Sequence, residues 1–167
     1  MPAAVLYPMK KSVWCITAVG FLLADIVSKL AAVRLLVPHV ERHVIPGFFS
    51  LTLTTNRGIA FSMLADVDSP FKTALLTLTA VLALGYICWT VATETSLPWV
   101  YGIALAMIAG GIVGNAGNRL LTGSVVDFLD FHVGAYYWPT FNLADTFICV
   151  GAVAVLWAIL LQGRTRP

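Results

Sequence analysis

Four long apolar runs divide the chain, at residues 13–33, 71–92, 98–117 and 142–161. Each is close to the roughly 20 residues that a tilted helix needs to cross a bilayer, so the pattern predicts four membrane-spanning helices. Between the first two runs the pattern changes. In residues 34–70, "HVIPGFFSLTLTTNRGIAFSML" alternates polar with β-branched or aromatic positions and is broken at Pro46-Gly47 and Asn56-Arg57-Gly58. That predicts short strands joined by turns, a small sheet at the membrane surface. A second long connection, residues 118–141, carries Tyr136, Tyr137 and Trp138, rings suited to the headgroup level, and is expected to lie along the interface.

Composition agrees on the solvent. Hydrophobic residues make up 59% and charged residues 11%, with a mean hydropathy of +0.89, outside the range of soluble domains. A chain of 167 residues has room for the spans and their connections and little more, so one integral-membrane domain is expected over residues 1–167. The net charge of +2 comes from scattered residues, which argues against nucleic acid as a partner. Lys10-Lys11 before the first span and Arg164 and Arg166 after the last place both termini in the cytoplasm by the positive-inside rule, with the two long connections outside. The N-terminus has the look of a signal peptide, but Asp25 and Lys29 interrupt its apolar stretch and no A-x-A site follows, so a retained first span is expected. Cys15, Cys88 and Cys149 lie in apolar runs, are odd in number, and are expected to serve as packing residues.

Against that background each ionisable residue in or beside a span needs a partner or a use, because a charge at a span centre costs about 2.5–3.5 kcal/mol on insertion scales. Asp25 and Lys29, four apart, stack on one helical face as an ion pair that either neutralises itself or supports a site. In "AGGIVGNAGNRLL", Gly110 and Gly114 allow close helix approach, and Asn115, Asn118 and Arg119 recur at three- and four-residue spacing. Asp127 follows the third span and Asp145 opens the fourth. A carboxylate in a first helical turn is favoured by exposed N–H groups, yet Asn142 can cap instead and leave Asp145 to point elsewhere. If the third and fourth spans are antiparallel neighbours, the two carboxyl groups meet at the outer surface. Two close carboxylates in a dry site share a proton, which suits hydrolysis, with one as general base and the other as general acid. Paired aspartates also build proton and ion paths, so a small proton-coupled transporter or channel is the alternative, and spacing does not separate the two.

Two further groupings point less well to chemistry. "HVERH" sets His39 and His43 four apart, but its Glu41 follows the first histidine by two residues and Pro38 and Pro46 bracket the stretch, so no helical zinc motif and no metal is expected. Asp130 and His132 lie in "DFLDFHV"; alternation turns Asp130 away from Asp127, and Asp130 is expected to be solvated.

These residues together resemble the bacterial lipoprotein signal peptidases, also called signal peptidase II, a family of intramembrane aspartyl proteases. Asp25 and Lys29 in "LLADIVSK" are similar to the family's D-x-x-S-K block, and Asn56, Gly58, Ala60 and Phe61 in "TTNRGIAFSML" to its N-x-G-x-A-F block. "GGIVGNAGNR" resembles the third block at Gly110, Gly111, Gly114, Asn115 and Arg119, while "GSVVDF" and "FNLAD" resemble the last two. The blocks run in order from Asp25 to Asp145, with one departure: Asn118 stands where the third block usually has Asp, which puts the positioning of Arg119 in question.

The resemblance implies an aspartyl endopeptidase that removes the signal peptide from diacylglyceryl-modified prolipoproteins, cutting on the amino side of the lipid-bearing cysteine. Asp127 and Asp145 take the places of the catalytic pair, with Asn56, Gly58, Asn115, Arg119 and Asn142 orienting substrate or carboxylates, and Asp25 and Lys29 holding the fold near the site. It further implies a monomer in the bacterial inner membrane among lipids, with no cofactor. A sheet and a short helix from residues 34–70 would cradle the lipopeptide.

Overall fold

A computed structural model of the protein describes residues 8–56 and 70–163. All four expected helices are present: α1 Lys11–Leu35, α2 Pro70–Thr93, α3 Trp99–Thr122 and α4 Leu143–Gly163. Each contains a stretch long and apolar enough to cross a membrane. Around them Leu82, Leu156, Trp157 and other large apolar side chains face outward, as they must where the surrounding solvent is lipid. Cys15, Cys88 and Cys149 are free and also face outward, so they meet lipid instead of packing the interior.

The small residues of α3 make it the central helix. Gly102, Ala104, Ala106, Ala109, Gly110, Gly111 and Gly114 are buried, and they let neighbouring backbones come close, which is what drives helix association where no hydrophobic effect operates. Gly110 abuts the α1 backbone at Ala18 and Leu22, while Gly111 abuts Ala144 of α4. At one end of the bundle, Met9, Trp14, Ile87, Val91, Leu97 and Leu105 form an apolar cluster, the Met9 N–H donates to Leu97 (2.9 Å), and Lys11 Nζ donates to the Ala92 carbonyl. The link between α2 and α3 therefore sits beside the start of α1.

The sheet lies at the other end. Its order is β1 Arg42–Ile45, β2 Phe49–Asn56, β3 Val125–Val133 and β4 Tyr136–Tyr137, each pair antiparallel. The Pro46-Gly47 turn joins β1 to β2, with Gly47 at φ 77°, a conformation open to glycine without strain. No helix occurs within residues 36–56. The rest of that connection, including Gly58, Ala60 and Phe61, lies outside the described residues, so the short helix expected there has no counterpart among them.

The second connection is largely regular structure: residues 118–122 continue α3 and residues 125–133 form the strand that pairs with β2, while Leu120, Leu121, Val133, Tyr136, Tyr137 and Trp138 are exposed. Two features lead into this strand. Gly123, at φ 73°, ends α3 by donating its N–H to the Arg119 carbonyl (2.9 Å), and Asn118 Oδ1 accepts the Val126 N–H (2.8 Å). Ala32, Leu53 and Phe128, with Leu36, Val126 and Leu143 around them, then pack the sheet onto the bundle.

Candidate active site

Asp145 is the third residue of α4, and the first turn explains its placement. Asn142 is the N-cap: its Oδ1 accepts the Asp145 N–H (3.0 Å), and Asp145 Oδ2 reaches back to the Asn142 N–H (3.4 Å). This reciprocal pair is a capping box with Asp in the place of the usual Glu. A further orphan donor of that turn, the Ala144 N–H, is taken by Asp25 Oδ1 (3.0 Å) from α1.

Asn142 also joins the two aspartates. Since its side-chain oxygen faces an N–H, its NH₂ faces the other way and donates to Asp127 Oδ1 (2.6 Å). Asn56 Nδ2, from the end of β2, donates to Asp127 Oδ2 (3.0 Å). On the far side, Lys29 Nζ donates both to Asp25 Oδ2 (2.8 Å) and to Asn115 Oδ1 (2.8 Å). An ammonium has donors only, so it fixes the Asn115 amide with its NH₂ toward Asp145 Oδ1 (2.8 Å). One hydrogen-bonded chain thus runs Asp25, Lys29, Asn115, Asp145, Asn142, Asp127, Asn56, drawing on α1, α3, α4, β3 and β2.

Every member is buried: Asp25 and Asn142 are 0% exposed, Asp127 1% and Asp145 8%. Arg119 lies within electrostatic reach of both Asp145 and Asp127. Burial pushes the Asp127 carboxyl up from 3.8 to about 6; the Asn56 hydrogen bond opposes the rise, the Asp145 charge adds to it, and Asn142 and Lys29 oppose it. Such a group changes protonation near neutral pH, where a general acid or base works best.

Of the residues singled out by sequence, Asp25, Lys29, Asn56, Asn115, Arg119, Asp127, Asn142 and Asp145 are brought to this one place, and Gly58 lies outside the described residues. Asp25 and Lys29 form the expected ion pair, and each also makes a hydrogen bond beyond it, to the Ala144 N–H and to Asn115 respectively. Asp130 does turn away from Asp127, but it is not solvated: it is 4% exposed and accepts a hydrogen bond from Thr52 Oγ1 (3.0 Å). Its partner lies on the neighbouring strand, and a buried carboxylate needs such a donor. Thr54 and Thr140 escaped sequence reasoning. Their hydroxyls bond each other (2.9 Å), and Thr54 Oγ1 donates to the Asp127 carbonyl (3.4 Å). The alternating threonines of "LTLTTN" were the available signal.

Comparison with known proteins supplies the family. The family described as Signal peptidase (SPase) II matches residues 17–161. The lipoprotein signal peptidase of Paraburkholderia phymatum is 40% identical over 151 residues, covering 90% of this chain and 89% of that one. That of Aquifex aeolicus is 38% identical over 161 residues, covering 95% and 92%. A bacterial membrane enzyme solved by the in meso method shares the fold at a TM-score of 0.84 and 23% identity, over 96% of this chain and 95% of that one. The chain belongs to the signal peptidase II family, the bacterial membrane proteases that remove signal peptides from lipoproteins.

Proposed function

We propose that the chain is an aspartic-type endopeptidase that cuts diacylglyceryl-modified prolipoproteins on the amino side of the lipid-bearing cysteine, with Asp127 and Asp145 as the catalytic pair. The observation that carries this is the bridge through Asn142, which ties two buried carboxylates into one network at the sheet end of the bundle. Both termini are cytoplasmic in this proposal. Lys10 and Lys11 lie at the opposite end of α1 from the site, so the positive-inside rule puts the site at the outer surface, where a lipid-anchored cysteine presents its bond. The enzyme acts as a monomer.

Asp127 and Asp145 share a proton around one water. The ionised member takes a proton from that water as it adds to the scissile carbonyl, and the protonated member donates to the carbonyl oxygen, giving a tetrahedral diol. Proton transfer to the amide nitrogen then releases the signal peptide. The proton belongs to the pair, so its titration gives two joint apparent pKa values. Asn56, Asn115 and Asn142 keep the unreacting lone pairs occupied, and Arg119 stabilises negative charge in the site.

The test uses purified protein in detergent with a lipid-modified prolipoprotein. Asp127→Asn and Asp145→Asn each abolish signal-peptide release, while Asp130→Asn, whose side-chain oxygen still accepts from Thr52, largely spares it. Cleavage that survives both of the first two substitutions rules out the pair.

A further inference from the structure

The outer sheet carries a second cluster of functional side chains, on the face turned away from Asp127. His43 of β1 stands directly across from Ser50 of β2, and Ser50 directly across from Asp130 of β3, so the three side chains share a face. Glu41 and His132 lie two residues from His43 and Asp130 and therefore join them on that face. The donor atoms of Glu41, His43 and His132 all lie within 4.8 Å of one another, and His43 Nδ1 is 3.7 Å from Glu41 Oε2.

His132 is the distinctive member. Its ring is stacked on Tyr137 (centroids 4.7 Å apart) and is 7% exposed, yet Nδ1 has no hydrogen-bond partner and Nε2 has only a 3.5 Å approach from Ser50 Oγ. A buried imidazole so weakly satisfied costs about 1–3 kcal/mol unless a ligand completes it. His43 Nδ1 meets the same Ser50 hydroxyl at 2.9 Å, so both imidazoles converge on one point.

We propose that Glu41, His43 and His132 form a binding site for a divalent transition cation of the zinc class, clipping the edge strand β1 to β3 across β2. Two imidazoles and a carboxylate are the donor set such a cation prefers, and three protein ligands leave a fourth position for water. Bonds of roughly 2.0–2.2 Å in tetrahedral geometry put donor atoms about 3.3–3.6 Å apart. The cluster is already near that spacing, and the exposed side chains of Glu41 and His43 are free to close the remainder around the fixed His132 ring. The site is not the histidine pair suggested by "HVERH". His39 sits in a turn at φ 61° before the strand begins at Arg42, and His43 finds its partner on β3 instead.

The experiment takes full-length protein in detergent, purified through a histidine-free tag and stripped with chelator, and titrates it with Zn²⁺ and with Co²⁺. The wild type takes up a single equivalent of zinc, shows the visible absorption of tetrahedral cobalt, and gains thermal stability with metal. Because His43 and Glu41 are exposed, His43→Ala and Glu41→Gln leave folding intact; each weakens zinc binding by roughly 10–100-fold or more, and His43→Ala abolishes the thermal gain. His132→Gln weakens it likewise. His39→Ala binds as wild type, and so does Asp127→Asn, which separates this site from the catalytic proposal. Equal zinc uptake by wild type and His43→Ala, or an equal loss on His39→Ala, overturns the proposal.

Discussion

Replacing Asn142 with alanine removes two separable functions from one buried side chain. The first is the cap on the Asp145 N–H, worth about 0.5–2 kcal/mol at a helix N-terminus. The second is the 2.6 Å hydrogen bond to Asp127, about 1.5–3 kcal/mol when its acceptor is ionised. The variant is therefore expected to lose about 2–5 kcal/mol of stability. The second loss has a sign that stability alone does not reveal. The Asn142 amide holds the Asp127 carboxyl down against burial, so its removal raises the apparent pKa of the ionising member of the pair. At 1.36 kcal/mol per unit the bond accounts for about 1–2 pH units, and the remaining Asn56 donor keeps the shift nearer the lower figure. The assay is single-turnover cleavage of a lipid-modified prolipoprotein in detergent across pH 4 to 9, with thermal unfolding in parallel. The acidic limb of the rate profile should move up by about one pH unit in Asn142→Ala. Asn142→Ser retains a good cap but is too short to reach Asp127, so it should recover about 1 kcal/mol of stability and keep the displaced limb. If both variants are folded and the limb stays where wild type has it, Asn142 does not tune the pair and the reasoning fails.

The remaining expectations concern the supports of the site. Burial raises the Asp127 carboxyl from 3.8 to about 6 on folding, so the stability linked to its protonation within the pair is fully present below pH 3.8 and is lost as pH rises through 6. Thermal unfolding between pH 3.5 and 7 should show a decline on the order of 2–3 kcal/mol from this group, and Asp127→Asn should flatten it. Lys29→Met strands the buried Asp25 carboxylate and frees the Asn115 amide to rotate, so a loss of about 3–5 kcal/mol in chemical unfolding should accompany a lower cleavage rate; equal stability would refute the buried-pair account. A Cβ at Gly114 overlaps the Asp25 carboxylate, so Gly114→Ala should cost about 1–3 kcal/mol and slow cleavage, whereas Gly117→Ala, open to space, should do neither.

Much of this was legible because the solvent is lipid. In a bilayer, run length alone locates helices, and a polar residue at a span stands out as one that must have a partner. Asp25, Lys29, Asn115 and Asp145 were all found in that way. β3 was not, because "VVDFLDFHV" places apolar residues next to one another and reads as neither a helical nor a strand period. The cause lies on the opposite strand: Leu51 pairs with Leu129 and Thr54 with Asp127, so β2 carries one extra residue between them and the facing of the side chains changes there. No local pattern in "LTLTTN" announces that bulge. Asp130 was misjudged for a related reason, since its burial depends on Thr52, 78 residues away and brought alongside only by the pairing of the two strands.

The first turn of α4 divides the atoms of Asp145 between the helix and the buried network. The backbone N–H of Asp145 goes to Asn142, Oδ2 returns the bond weakly at 3.4 Å, and Oδ1 is held at 2.8 Å by Asn115 from α3. Because Asn142 and Asp25 supply the oxygens for the Asp145 and Ala144 N–H groups, the helix terminus does not depend on the Asp145 carboxylate for those two donors. A carboxylate partly released from capping, yet fixed by a neighbouring helix, is already oriented before substrate arrives. That is the condition under which a buried charge lowers a barrier without reorganising at the moment of reaction. The same side chain that relieves Asp145 also holds Asp127, so the start of α4 sets the relation between the two carboxyl groups, and the apolar length behind it sets their depth.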